Sequence, residues 1–381
     1  MPTQDRVQEP LERLAAFEPD GTPVVSLYLN TQADQHGRDN HDVFVRKTFR
    51  ERLKTYAERS TGRESLERDL ARIEGYLGRE LQPSVNGLAL FSSSARGLFE
   101  AVPLVAPLDE HWLYINDLPQ LYPLARVQSQ YPRYAAVVAD TSLVRIFVFA
   151  TAELVQAREV KGVKTRGRTI GGWSQNRYQR RVDNQHAALV REAVEALERI
   201  VQAEQIPSVI VAGDEVVVPL IRDELSKTLR EKVVEDIRLP TMAAVHDVLR
   251  ATAEVLARHD GQSDREKVEA AVAGYRGGGL GVVGLQPTQE ALEKGQVDEL
   301  LISASLAHIK PAEGNGPGAG TAEVAVAIER GGAQIADEAS AKVADELVRR
   351  ATQTGARIAF IEDGALLAPH GGAGALLRFR I

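Results

Sequence analysis

Between Arg158 and Arg181 the chain reads REVKGVKTRGRTIGGWSQNRYQRR. Arg158, Lys161, Lys164, Arg166, Arg168, Arg177, Arg180 and Arg181 stand there against one acid, Glu159. That is a local charge of about +7 in a chain of formal net charge −7. An acidic protein that concentrates positive charge in one stretch aims it at a polyanion. Arginine forks grip phosphate through paired hydrogen bonds, and each phosphate contact sharpens the salt dependence of binding. The adjacent Gly171 and Gly172 permit backbone shapes closed to other residues and let the main chain approach a ligand. Gln175 then brings an amide donor and acceptor on a short arm. The stretch reads as a loop pressed against RNA, with Gln175 at its tip. The plainer reading is a solvated surface loop with a chance excess of arginine. Trp173 either stacks on a base, worth about 1–3 kcal/mol, or plugs the space beneath the loop.

The rest of the chain narrows the options. At 381 residues it has room for two or three domains. It is 44% hydrophobic and 26% charged, a globular balance that leaves nucleic-acid binding to local patches. With no cysteine there is no disulfide framework, thiol nucleophile or cysteine metal site, which suits a reducing cytoplasm. The start, MPTQDRVQEPLERL, lacks the apolar core of a signal peptide, and no run of about 18 apolar residues marks a membrane span. No cofactor is expected.

Periodicity places the elements that must hold the basic stretch. PVVSLYLN over 23–30 alternates and predicts a strand, and a helix is expected over 43–81 from Phe44, Val45, Phe49, Leu53 and Tyr56. Residues 86–98 predict a strand, a turn and the start of another strand, and 99–132 further strands and loops. A second domain opens with the buried strand 134–140, its hairpin partner 143–149 and a third strand over 153–160. After the basic stretch, Asp183 opens a helix to about Gln205, with Val190, Val194, Leu197 and Val201 on one face. Ile206 to Gly213 is a strand, followed by helices over 214–227 and 243–259. A polar joint at Gly261-Gln262-Ser263 leads to a third domain. It holds helices over 264–275, 288–294 and 337–354, and strands over 281–285, 299–303, 358–361 and 376–379. A flexible loop is expected over 308–321. This order indicates a mixed α/β fold in three domains, 1–132, 133–262 and 263–381.

Other motifs carry less chemistry. Gly277-Gly278-Gly279 has no following Lys-Ser or Lys-Thr, so it is a turn and not a phosphate loop. GNGPGAG over 314–320 reads as linker. His36, Asp39, His41 and Asp42 are better taken as a polar loop than as metal ligands. His370 sits in a turn beside Gly371-Gly372, and Ser174 lacks the elbow context of a serine hydrolase. Trp112 and Tyr114 read as core in preference to a binding platform.

Three blocks together resemble the bacterial branch of the archaeal and eukaryotic release factor superfamily, which includes Pelota. PVVSLYLN and NGLALFSSSARGLFEAVPL resemble its N-terminal domain. RYAAVVADTSLVRIFVF, the glycine loop, IPSVIVAGDE and LREKVVEDIRL resemble its middle domain. TQEALEKGQVDELLIS and GGAGALLRFR resemble its C-terminal domain. The resemblance implies an RNase H-like middle domain bearing a GGQ loop, and a C-terminal domain of the RNA-binding ribosomal-protein type. It implies a factor in the ribosomal A site whose glutamine sets water against the ester of peptidyl-tRNA. Here Trp173, not glutamine, follows Gly171-Gly172, and Gln175 comes two residues later. The resemblance therefore makes Gln175 the candidate catalytic residue, with Gly171 and Gly172 shaping the loop. Lys164, Arg166, Arg168, Trp173, Arg177, Arg180 and Arg181 become the RNA-binding set. No NIKS-type codon-reading motif is present in the first domain. The leading expectation is a cytoplasmic factor that hydrolyses peptidyl-tRNA on stalled or split ribosomes. The alternatives are a non-catalytic hibernation factor in the A site and an RNA-binding or nuclease module away from the ribosome. Implied partners are the large subunit with its rRNA, peptidyl-tRNA and a translational GTPase.

Overall fold

A computed structural model describes residues 7–32, 41–82, 85–104, 106, 108, 110–150, 153–162, 175–310 and 338–380, without the side chains of 175–183 and 338. The described chain forms three sheets, each mixed with helices. It divides into two compact units, one of residues 131–260 and one joining 5–130 to 261–381.

In the second of these units the chain opens with α1 (Gln8–Ala15) and β1 (Val24–Asn30). Next come α2 (His41–Leu53), α3 (Thr61–Arg79), β2 (Gly87–Ser93), β3 (Leu98–Leu104), β4 (Trp112–Asn116) and α4 (Tyr122–Gln130). The strands pair antiparallel in the order β3-β2-β1-β4. Alternation sends Val25, Leu27 and Leu29 to the face that meets Phe44, Val45 and Phe49 of α2 and Leu66 and Ile73 of α3. The helix expected over 43–81 is thus two. Arg59 adopts a left-handed φ of 64°, and the Ser60 hydroxyl then caps α3 by accepting from the Arg63 N–H at 3.3 Å. Helix α4 falls where strands and loops are expected. Its Pro123 stands in the first turn, where a missing N–H does no harm.

The unit of residues 131–260 begins with β5 (Tyr134–Ala139), β6 (Leu143–Ala150), β7 (Glu153–Lys161) and α5 (Gln175–Ala203). It continues with β8 (Ser208–Gly213), α6 (Val217–Glu224), α7 (Lys227–Lys232) and β9 (Val233–Ile237). Its sheet runs β7-β6-β5-β8-β9. The β5, β6 and β7 pairings are antiparallel, while β5–β8 and β8–β9 are parallel. This is the mixed sheet expected of the middle segment. Strand β9 escapes sequence reading because VVEDI lies at a sheet edge, only partly buried, and has too few residues for a period. One face of the sheet packs on Val190, Val194, Leu197 and Val201 of α5, the stripe that the helical spacing predicts.

Helix α8 (Val245–Arg276) carries the chain from the first unit to the second. Two helices parted at Gly261-Gln262-Ser263 are expected there, yet the 32 residues form one helix. A helical glycine costs about 1 kcal/mol relative to alanine, too little to end a helix between good helix formers. After α8 come β10 (Gly281–Val283), α9 (Leu285–Glu293), β11 (Val297–Ser303), α10 (Glu338–Gln353), β12 (Arg357–Ile361), α11 (Gly364–Leu367) and β13 (Ala373–Leu377). They form the sheet β10-β13-β11-β12. The expected loop over 308–321 lies from residue 311 onward outside the described residues.

A buried polar joint ties α10 to the first segment of the same unit. Asp345 accepts from the Leu121 N–H, and from the Tyr122 N–H at 3.1 Å. Arg349 pairs with Asp345 at 3.3 Å and donates to the Leu14 carbonyl at 3.0 Å and to that of Pro119. The Tyr122 hydroxyl donates to the Ser303 carbonyl at 2.8 Å. Burial pushes the Asp345 carboxyl up, against the pull of Arg349 and of the two backbone N–H groups.

Candidate nucleic-acid interface

The basic stretch leaves the sheet from the end of β7 and returns to it through α5. Its departure point is held by the β5–β6 turn. The Asp140 carboxylate accepts from the Ser142 N–H at 2.7 Å, the Ser142 hydroxyl at 2.8 Å and the Leu143 N–H at 2.9 Å. Burial raises the Asp140 carboxyl, but those hydrogen bonds outweigh it and hold the group below its ordinary value. The Ser142 carbonyl in turn accepts from the Gly162 N–H at 2.8 Å. Two neighbouring strand ends thus fix where the segment begins. Where β8 ends beside β5, sequence supplies a second constraint. Gly213 has φ +152°, and an added Cβ would fall inside the carbonyl oxygen of Ala139.

The charges at this root are already partly engaged. Glu159 lies 3.3 Å from Lys161 and 3.7 Å from Arg145. Arg145 also donates to the carbonyls of Thr241 at 2.9 Å and Ala243 at 2.8 Å, and its guanidinium lies 4.6 Å from the Phe147 ring centre. Arg145 is therefore a structural anchor. It was not legible in the sequence, because LVRIFVF presents it only as a polar break in an apolar strand. Lys161 is 73% exposed, so its pair with Glu159 stays in water and holds little charge back from an incoming anion.

The predicted residues fall in two groups. Lys164, Arg166, Arg168, Gly171, Gly172 and Trp173 lie outside the described residues. Gln175, Arg177, Arg180 and Arg181 are in the first turns of α5. Gln175 is the first residue of that 29-residue helix and not the tip of a loop. The expected helix start at Asp183 is too late. Residues 175–182, QNRYQRRV, show no apolar stripe, yet glutamine and arginine are good helix formers and extend a helix whose later turns are anchored in the core. Arg177, Arg180 and Arg181 stand three and four residues apart, a spacing that lines one side of a helix backbone. The cationic set is thereby split between a connecting stretch and a helix that the core holds in place.

Tyr114 and the triple glycine take the plainer of their two readings, while Ser174 and GNGPGAG over 314–320 lie outside the described residues. Tyr114 is buried, and the half-buried Trp112 stacks on it with ring centres 5.9 Å apart. Gly277-Gly278-Gly279 is a turn with Gly278 at φ +66°. Among the described residues no group of three side chains could hold a metal ion. His41 and Asp42 open α2 where a polar loop is expected, with His41 buried on the helix, and His36 and Asp39 lie outside the described residues. No helix among the described residues is long and apolar enough to cross a membrane.

Comparison with known proteins divides along the chain. Residues 119–257 match the family model "Bacterial archaeo-eukaryotic release factor family 10", and residues 264–381 match "eRF1 domain 3". A comparison with curated proteins gives no significant match. Among solved structures, Dom34 of S. cerevisiae, a translation termination-like factor, is 9% identical with a TM-score of 0.44, over 77% of this chain and 80% of that one. Pelota of Archaeoglobus fulgidus is 14% identical with a TM-score of 0.34, over 79% of this chain and 82% of that one. An archaeal Pelota bound to the ribosome with ABCE1 is 14% identical with a TM-score of 0.41, over 99% and 96%. Those scores lie below the level at which whole chains superpose as one fold.

Proposed function

Because this chain is a bacterial release-factor-like protein of the archaeo-eukaryotic kind, we propose that it binds the ribosome in the place of a tRNA, with its basic segment against rRNA. The reading favoured here is occupancy without hydrolysis. One observation carries it: Gln175 begins α5, while Trp173 stands directly after Gly171-Gly172. A glutamine that serves hydrolysis must reach an ester in a crowded centre and set water against it, which is a matter of placement within fractions of an ångström. A helical Gln175 is tied to a long core-packed helix, and in sequence the bulky Trp173 takes the position directly after the glycine pair. In this proposal Lys164, Arg166, Arg168, Arg177, Arg180 and Arg181 neutralise phosphates, and Trp173 stacks on a base or fills a hydrophobic gap. The three-domain division at 1–132, 133–262 and 263–381, a cytoplasmic location and delivery by a translational GTPase belong to the same proposal.

Hydrolysis of peptidyl-tRNA by Gln175 is the second reading, and one feature favours it. The first turn of a helix presents unpaired N–H groups and a partial positive charge, which stabilise a developing oxyanion. Release of labelled peptide from peptidyl-tRNA on large subunits separates the two. Occupancy predicts that the wild type sediments with ribosomes and releases no peptide. Hydrolysis predicts release that falls about 100-fold or more in Gln175→Ala. A protein that does not sediment with ribosomes at low salt contradicts both.

A further inference from the structure

In the unit of residues 131–260, the chain turns between β9 and α8 through Pro240, Thr241, Met242 and Ala243. The Ala243 N–H closes the turn by donating to the Pro240 carbonyl at 2.9 Å. Arg145 of β6 holds both of its shoulders, donating to the Thr241 carbonyl at 2.9 Å and to that of Ala243 at 2.8 Å. Thr241 is buried, with its side chain against the Asp140 carboxylate of the β5–β6 turn. Between these anchored neighbours Met242 is 78% exposed, the most exposed large apolar side chain among the described residues. A lone apolar residue at the surface is ordinary. Here the backbone beneath it is fixed on both sides, so a contact made by its side chain orders no further backbone.

The same bonds fix the root of the basic segment. Register places Arg145 opposite Glu159, and alternation puts Lys161 on the same face of β7. The guanidinium that holds the Met242 turn lies 3.7 Å from Glu159, whose other neighbour is Lys161 at 3.3 Å. Asp140 accepts from the Ser142 N–H, and the Ser142 carbonyl takes the Gly162 N–H. Met242 is therefore presented beside the point where the cationic stretch leaves the sheet. A partner drawn by that charge is anionic, and a partner that meets a thioether needs an apolar face. An RNA strand with an unstacked base offers both. Sulfur is polarisable and makes favourable contact with aromatic rings, and a neutral side chain does so without displacing a counterion.

We propose that Met242 packs against an unstacked base of rRNA while the basic segment engages the neighbouring phosphates. The contact presupposes the ribosome binding proposed above and adds to it a nucleobase that the arginines do not meet. Sedimentation of the full chain with ribosomal particles over a series of salt concentrations tests it. Met242→Ala weakens binding about fivefold or more at every salt, with the slope of log affinity against log salt unchanged, because a neutral contact releases no counterion. Met242→Leu, apolar and close in volume, keeps most of the affinity. The chain has two methionines, Met1 and Met242. With photo-methionine at both, irradiation of the ribosome complex crosslinks the Met242 peptide to RNA. Wild-type affinity in Met242→Ala, a lowered salt slope, or crosslinks of that peptide to protein alone overturns the proposal and leaves ribosome binding standing. Failure of the wild type to sediment at low salt overturns ribosome binding, and the Met242 contact with it. Met242 is exposed, so neither substitution opens the core, and circular dichroism verifies the fold of both variants.

Discussion

Single residues decide whether the sheet that roots the basic segment forms at all. Gly213 ends β8 against β5 at φ +152°, with the Ala139 carbonyl where a side chain would begin. Gly213→Ala should therefore cost on the order of 3 kcal/mol or more, since strain and a backbone collision add. Urea unfolding measures it, and a loss under about 1 kcal/mol would mean that β5 and β8 part easily. Tyr134 offers a test by pH. Its hydroxyl bonds Thr252 at 2.8 Å in the core beneath α8, and burial, against the pull of that bond, raises the phenol to about 12 from 10.0. A phenol that holds its proton more tightly when folded lends stability that is whole below pH 10 and lost as pH rises through about 12. A rise of that size corresponds to roughly 3 kcal/mol. In Tyr134→Phe the fall in unfolding free energy over that interval should be shallower by about this amount.

Elements are held by what their buried faces meet, and α10 shows how a polar contact does this. Arg349 and Asp345 are each 7% exposed and bridge α10 to backbone carbonyls and amides of the first segment. Removing one partner leaves a buried charge without compensation, at about 3–5 kcal/mol. Arg349→Met should lose that much in denaturant unfolding of the whole chain. Arg349→Met combined with Asp345→Leu should recover part of it, because two apolar groups leave no unpaired charge. Failure of the double variant to recover would show that the backbone groups left bare, the Leu121 and Tyr122 N–H groups and the Leu14 and Pro119 carbonyls, cost more than the unpaired charge. For α5 the matching statement concerns its start. The apolar stripe from Leu189 to Val201 anchors the helix, and the arginines before it are carried as an extension of that anchor.

At the scale of the whole molecule the question is how an acidic chain holds a polyanion. If the basic segment meets phosphates, R177S/R180S/R181S should weaken sedimentation with ribosomal particles. It should also lower the slope of log affinity against log salt by about 2–3, at roughly 0.7–0.9 for each phosphate no longer neutralised. An unchanged slope would mean that those arginines meet no phosphate.

Much was legible in the residues themselves. The charge and glycine content of 158–181, the strands VVSLYLN, YAAVVA and LVRIFVF, and the apolar stripe of α5 all follow from side-chain type and period. These are local properties, fixed by whether a side chain prefers water and how often it recurs. What remained hidden depended on partners distant in sequence. The start of α5 at Gln175, the continuity of α8 through Gly261, and the edge strand β9 have no periodic signal of their own. Their conformations are decided by the packing of neighbours, which outweighs a propensity of about 1 kcal/mol or less. The joint made by Asp345 and Arg349 is the same case, since they meet the backbone of Leu14, Pro119 and Leu121, far off in sequence, only because the fold brings those segments together.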